Sequence, residues 1–211
     1  MPYYAVANGR ELGIFLNWAD CCNSVKGYKH AVYKKFDTQE EAEHFIQTHN
    51  ETKKHNDDFT ADYYVYTDGA CSNNGKANAS AGIGIYFGID DNRNTSKRIE
   101  GKQTNNTAEL SAIIEAYSII ENDILNGKKI TIVSDSEYAI KCVSSYGEKC
   151  CKKNWNIDIP NKELVKTVYK LYKDKPNVQF MYIKAHTGYT DIHSIGNDNA
   201  DKLANIGCIK N

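Results

Sequence analysis

Residues 130–134 read Ile-Thr-Ile-Val-Ser, a nearly continuous apolar run too short for a stable helix and typical of a strand buried on both faces. The pattern around it alternates. Tyr63 to Thr67, residues 81–87 and Thr95 to Ile99 read as three strands, and a helix is predicted from Asn106 to about Asn122. Helices near 136–145 and 161–173, a strand over Val178 to Ile183 and a last helix near 197–206 complete the order βββαβαβα. A mixed sheet with helices packed on it satisfies that order. Ahead of it lie two short β-type runs, Tyr3 to Val6 and Gly13 to Leu16, flanking the turn Asn8-Gly9-Arg10. Asn17 is placed to cap a helix over Trp18 to Val25 that Gly27 closes, His30 to Phe36 suits a third strand, and Thr38-Gln39-Glu40-Glu41 is a capping box opening a helix through Ile46. Residues 49–61, within THNETKKHNDDFTAD, are polar and lack apolar periodicity. They read as a linker between a ββαβα domain at 1–48 and a larger domain at 62–211.

Composition narrows the class without naming a function. Of 211 residues, 41% are apolar and 25% charged, ordinary for a globular protein, and no apolar run approaches the roughly 18 residues of a spanning helix. MPYYAVANGRELG has neither a signal peptide's apolar core nor a transit peptide's arginines, so a cytoplasmic or nuclear, non-secreted and membrane-free protein is expected. The seven cysteines are odd in number and form no paired Cys-x-x-Cys, which signals neither a disulfide framework nor a zinc site. Net charge is -1, yet Lys141 to Lys175 holds nine lysines against four acids. Such a stretch is either a solvated helix face or a nucleic-acid-binding surface.

The larger domain places acids where folding alone would not. Asp68 and Asp135 each end a β-rich run. Glu109 shares a helical stripe with Ile113, Ala116 and Ile120, and Asp201 lies beside Ala200, Leu203 and Ala204. A buried, isolated carboxylate costs several kcal/mol, roughly, unless compensated. Each acid alone reads equally well as a cap or a surface pair. Four converging ones are hard oxygen ligands suited to Mg²⁺ or Mn²⁺, and two such ions about 4 Å apart cleave phosphodiesters.

Tyr66-Thr67-Asp68-Gly69-Ala70-Cys71, Thr104-Asn105-Asn106-Thr107-Ala108-Glu109-Leu110, Ser134-Asp135-Ser136 and His186-Thr187-Gly188 followed by Gly196-Asn197-Asp198-Asn199-Ala200-Asp201-Lys202-Leu203-Ala204 together resemble ribonuclease H of type 1, over residues 62 to 208. The resemblance implies the ribonuclease-H α/β fold with a five-stranded mixed sheet. It implies an endoribonuclease that hydrolyses the RNA strand of RNA–DNA hybrids with two Mg²⁺, for which Mn²⁺ can substitute, leaving 5′-phosphate and 3′-hydroxyl ends. By that match Asp68, Glu109, Asp135 and Asp201 hold metal, and His186 is the mobile histidine that assists proton transfer or product release. The segment YTDIHSI between Gly188 and Gly196 is longer than the family's loop and carries a second histidine, His193; the Thr-Gly that follows His186 makes His186 the match. Ser72, Asn74, Asn105 and Asn106 correspond to contacts with the RNA strand and its 2′-hydroxyls. Lys102, Thr104 and Asn161 correspond to a pocket for a DNA-strand phosphate. KCCKKNW resembles the substrate-binding protrusion, with Tyr146 and Cys150 where Trp is common and Trp155 retained.

Residues 2 to 46 resemble the hybrid-binding, viroplasmin-like domain that precedes many eukaryotic type 1 ribonucleases H. By match, Trp18 and Tyr33 pack on DNA sugars while Arg10, Lys34 and Lys35 reach phosphates, an aromatic platform beside cations. The alternative for Trp18 is simply the core of a small domain. The partners expected are an RNA–DNA hybrid and, through the first domain, double-stranded RNA; the chain is expected to be a monomer. Other readings of the residues stay open: a catalytically weak hybrid- or dsRNA-binding protein, an inclusion-forming protein using the first domain, and a transposase or resolvase on the same fold.

Overall fold

The computed structural model describes residues 2–57, 59–185 and 188–209. The chain divides into two compact units, Met1–Thr60 and Ala61–Asn211.

In the first unit, β1 (Tyr3–Asn8) is the centre of an antiparallel sheet between β2 (Gly13–Phe15) and β3 (Val32–Phe36). Strand alternation separates the two faces. Val6 packs with Cys21 and Val25 of α1 (Trp18–Val25), joined by Tyr4 and Phe15. On the other face α2 (Gln39–Asp57) buries Ala42 and sets Phe45 against Phe36, ring centroids 5.3 Å apart. Both caps form: Asn17 Oδ1 accepts from Asp20 N at 2.9 Å, and Thr38 Oγ1 accepts from Glu41 N at 3.3 Å. Helix α2 does not end at Ile46 but runs to Asp57, through most of the segment that reads as linker. From Gln39 to Asp57 there is no Gly or Pro, so nothing in the backbone stops the helix once the first turns are docked.

The second unit holds a five-stranded mixed sheet, ordered β6 (Thr95–Arg98), β5 (Ser80–Tyr86), β4 (Tyr63–Ser72), β7 (Ile130–Ser134), β8 (Val178–Tyr182). Strand β4 runs antiparallel to β5 and parallel to β7. All five residues of β7 are buried, as its apolar run requires. On one face, α3 (Asn105–Leu125) and α6 (Lys162–Tyr172) supply Leu110, Ile113, Ile120, Val165 and Val168 to a core with Val65 and Ile132. The helix expected at 136–145 is α4 (Glu137–Val143), and a further helix that the sequence pattern did not give, α5 (Ser145–Lys152), follows it. Gly147 lies inside α5, where a Cβ would strike the Tyr169 side chain and the Cys142 carbonyl.

The opposite face carries α7 (Ile192–Ile209). It packs on β4 and β5 through small residues. A Cβ on Gly84 would meet the Ala200 and Ala204 backbone, one on Gly82 the Gly207 and Cys208 backbone, and one on Gly196 the Tyr66 ring. The helix begins five residues earlier than its sequence pattern predicts. Asp191 caps it, Oδ1 accepting from His193 N and Ser194 N at 3.0 and 3.1 Å. Part of the long segment after His186 is therefore helix rather than loop.

Candidate active site

Asp68 lies in the middle of β4, 7% exposed, with Oδ1 accepting from Gly69 N at 2.7 Å. Glu109 comes from the first turns of α3, which Thr104 starts: its hydroxyl accepts from Thr107 N, and the Thr107 hydroxyl accepts from Thr104 N. A Cβ on Gly69 would collide with the Ala108 and Glu109 backbone, so glycine lets α3 approach β4 closely enough for Glu109 to reach Asp68. Asp135 follows β7, which is parallel to β4 and therefore brings its C-terminal end beside the same point.

One ligand oxygen from each of Asp68, Glu109 and Asp135 lies within 4.8 Å of the others. Asp201, on α7, flanks Asp68 and lies outside that triple; its Oδ1 accepts from Asn205 Nδ2 at 2.8 Å. Burial first, then the charges of Asp135 and Asp201, push Asp68 up to about 7. Burial and the charges of Asp68 and Asp135 raise Glu109 well above its usual range. Oε2 of Glu109 is buried with no hydrogen-bond partner among the described residues. Crowded, desolvated oxygens of one charge, one of them lacking a donor, fit a divalent cation of the Mg²⁺ or Mn²⁺ type.

His186 lies outside the described residues. His193 is inside them and does not join the carboxylates: its ring stands edge-on to Tyr64 at 4.7 Å between centroids, and Nδ1 is 3.3 Å from the Tyr66 hydroxyl. It anchors the start of α7 to β4. Asn197 is a residue that motif matching missed. It is 2% exposed, and its Nδ2 donates to Asp135 Oδ2 at 2.9 Å. A buried asparagine inside a helix, where its side chain ordinarily competes with the backbone, is the signal that could have found it.

Ser72 and Asn74 are exposed at the end of β4 and in the turn after it, while Asn105 and Asn106 are exposed on the first turn of α3 that also carries Glu109. Lys102 is exposed, but the Thr104 hydroxyl is already engaged in the helix cap. Asn161 has a left-handed backbone, φ 57°, and Nδ2 lies 3.5 Å from the Tyr138 hydroxyl. Trp155 is half-buried against Tyr169, and Cys150 is buried.

In the first unit Trp18 and Tyr33 are 47% and 46% exposed with centroids 5.9 Å apart, and Tyr4 adds a third ring 5.7 Å from Trp18. Lys35 sits opposite Tyr4 in register and shares the face of Tyr33. Lys34 points the other way, its Nζ 5.2 Å from the Phe36 ring centre. Arg10 is committed locally, Nη1 donating to the Asn23 and Lys26 carbonyls at 3.0 and 2.8 Å, where it closes the C-terminal end of α1.

Comparisons with known proteins cover both units. The RNase H family pattern matches residues 60–209, and that of the ribonuclease H1 N-terminal domain matches residues 2–46. Ribonuclease H of Schizosaccharomyces pombe is 33% identical, over 97% of this chain and 96% of that one. The solution structure of the PFV RNase H domain superposes with a TM-score of 0.57 at 22% identity, covering 69% of this chain and 93% of that one. A foamy viral protease–reverse transcriptase in complex with RNA/DNA hybrid gives a TM-score of 0.56 at 22% identity, over 70% of this chain and 20% of that one.

Proposed function

The chain belongs to the ribonuclease H family, and from that premise we propose that it is an endonuclease hydrolysing the RNA strand of RNA–DNA hybrids at Asp68, Glu109, Asp135 and Asp201, leaving 5′-phosphate and 3′-hydroxyl ends. The observation that carries this reading is the convergence of three carboxylates within 4.8 Å around a buried, partnerless Glu109 oxygen. Two Mg²⁺, or Mn²⁺ in their place, would be held by these four acids and supply, when bound, an easier ionisation of the attacking water and neutralisation of charge at the leaving oxygen.

The remaining work falls to the chain itself. Ser72, Asn74, Asn105 and Asn106 are exposed polar side chains on or beside the elements that carry Asp68 and Glu109, and they offer donors and acceptors to 2′-hydroxyls, the groups that mark an RNA strand. Lys102 and Asn161 are offered to a DNA-strand phosphate, with Thr104 contributing chiefly by starting α3. His186 would deliver a proton to O3′ as the P–O3′ bond breaks. In the first unit, Trp18 and Tyr33 present faces to sugars while Lys35 meets a phosphate. The same backbone-directed grip would serve double-stranded RNA. That the foamy viral relative is seen with an RNA/DNA hybrid supports the substrate class.

The test uses end-labelled RNA–DNA hybrid, duplex DNA and duplex RNA, each with and without Mg²⁺. Cleavage confined to the hybrid's RNA strand and dependent on Mg²⁺ is expected. Cleavage of duplex DNA would favour a transposase-like activity, and tight hybrid binding without cleavage would leave a binding protein.

A further inference from the structure

Two glycines place Asn197 against Asp135. Gly196 removes the side chain that would collide with the Tyr66 ring, and Gly84 removes the one that would collide with Ala200. These close approaches bring the first turns of α7 down onto the sheet. Asn197 is then driven into the interior, 2% exposed, and its amide meets Asp135 Oδ2 at 2.9 Å. The amide's other atom, Oδ1, is buried without a partner among the described residues, so the side chain is held there against the cost of an unsatisfied acceptor.

We propose that Asn197 is a positioning residue for the cation site, its amide fixing the orientation of the Asp135 carboxylate through one charge-assisted hydrogen bond. The inference rests on the reading of Asp135 as a cation ligand. Asp135 lies half-buried just beyond the end of β7, outside the strand ladder, whereas Asn197 sits on a helix docked backbone to backbone. A donor on the rigid element restrains a ligand on the less restrained one. Partners of this outer kind typically contribute about 10- to 100-fold to metal affinity. The chemistry also selects the residue type. Aspartate at 197 would set two carboxylates against each other, and leucine would leave Asp135 Oδ2 without its donor.

Calorimetric titration of the full chain with Mn²⁺, without nucleic acid, tests this directly. Asn197→Ala is expected to weaken Mn²⁺ binding about 10- to 100-fold while hybrid affinity measured without divalent cation stays unchanged. Asn197→Ser keeps a donor and should lose less, and it serves as the deciding variant if Asn197→Ala does not fold. If the folded variants bind Mn²⁺ within twofold of the parent and only thermal stability falls, Asn197 is structural and the proposal is overturned. If the parent protein itself takes up no Mn²⁺, the cation-site reading fails, a result distinct from parent-like binding by the variants.

Discussion

The two units treat their polar and aromatic chemistry in opposite ways. The second buries it: Asp68 is 7% exposed and Asn197 2%, and the groups meet only because four elements distant in sequence, β4, α3, β7 and α7, converge. The first displays it, with Trp18 and Tyr33 each nearly half exposed and set side by side, tilted, along one face of a small sheet. Buried carboxylates are expensive and demand compensation, so their positions are nearly intolerant of change. Exposed rings beside cations grip a backbone additively and tolerate loss of single members. Substitutions in the second unit should therefore act as switches, and those in the first as adjustments.

The largest effect should come from Asp135→Asn, which keeps shape and removes charge. Turnover should fall by about 10³-fold or more, the loss of several kcal/mol of charge stabilisation, with hybrid binding retained. Parent-like turnover in excess Mg²⁺ would overturn the metal-carboxylate assignment. Next comes His186→Ala, with an expected loss of about 10²- to 10⁴-fold in turnover, set against His193→Ala. Because His193 packs on Tyr64 and Tyr66, its loss should lower thermal stability more than turnover. A larger kinetic defect in the His193 variant would reverse the roles.

Smaller effects should follow in the first unit. Trp18→Ala should weaken binding of long hybrids by roughly ten- to a hundredfold, as expected for one lost stacking contact, and leave turnover on short hybrids at saturating substrate unchanged. Equal affinity for long hybrids would dissociate the aromatic face from substrate binding. Smallest is the pair Lys35→Ala and Lys34→Ala. Lys35 shares the Tyr33 face, so its loss should flatten the salt dependence of binding by about one unit of slope. Lys34, over Phe36, should change the slope less, and equal slopes for the two variants would erase the distinction between faces.

Much of this was legible in the residues. Strands β4, β5 and β7 are written as apolar runs, and Asp135 ends its run as expected; Asp68 ends only the apolar part of β4, because the strand keeps pairing with β5 through Gly69 to Ser72. The Asn17 and Thr38 caps are local chemistry, and each forms as its spacing implies. What could not be read was set by tertiary contact. Helix α5 was not legible at all, since its Gly147 is a poor helix former whose place only Tyr169, packed where a side chain would be, accounts for. The start of α7 reads as loop, since Tyr-Thr-Asp-Ile-His-Ser-Ile has little periodicity, and only the docking of His193 on Tyr64 holds it. Adjacent lysines looked equivalent at 34 and 35, although a strand turns neighbours to opposite faces. Arg10 looked available, and instead closes a helix.

The glycine-lined dock of α7 also sets how the molecule breathes. Over Gly82 and Gly84 the α7 backbone lies directly on β5, so those contacts are made or lost as one, and the His193 packing on Tyr64 and Tyr66 ties the start of the helix to the same event. Its opening should be close to all-or-none, and it would carry Asn197 and Asp201 away together. The amide protons of α7 would then exchange with solvent as one group, at a rate that reports the lifetime of the assembled acid cluster. On slow heating, cleavage should vanish when that group exchanges freely, while the amides of β7 are still protected.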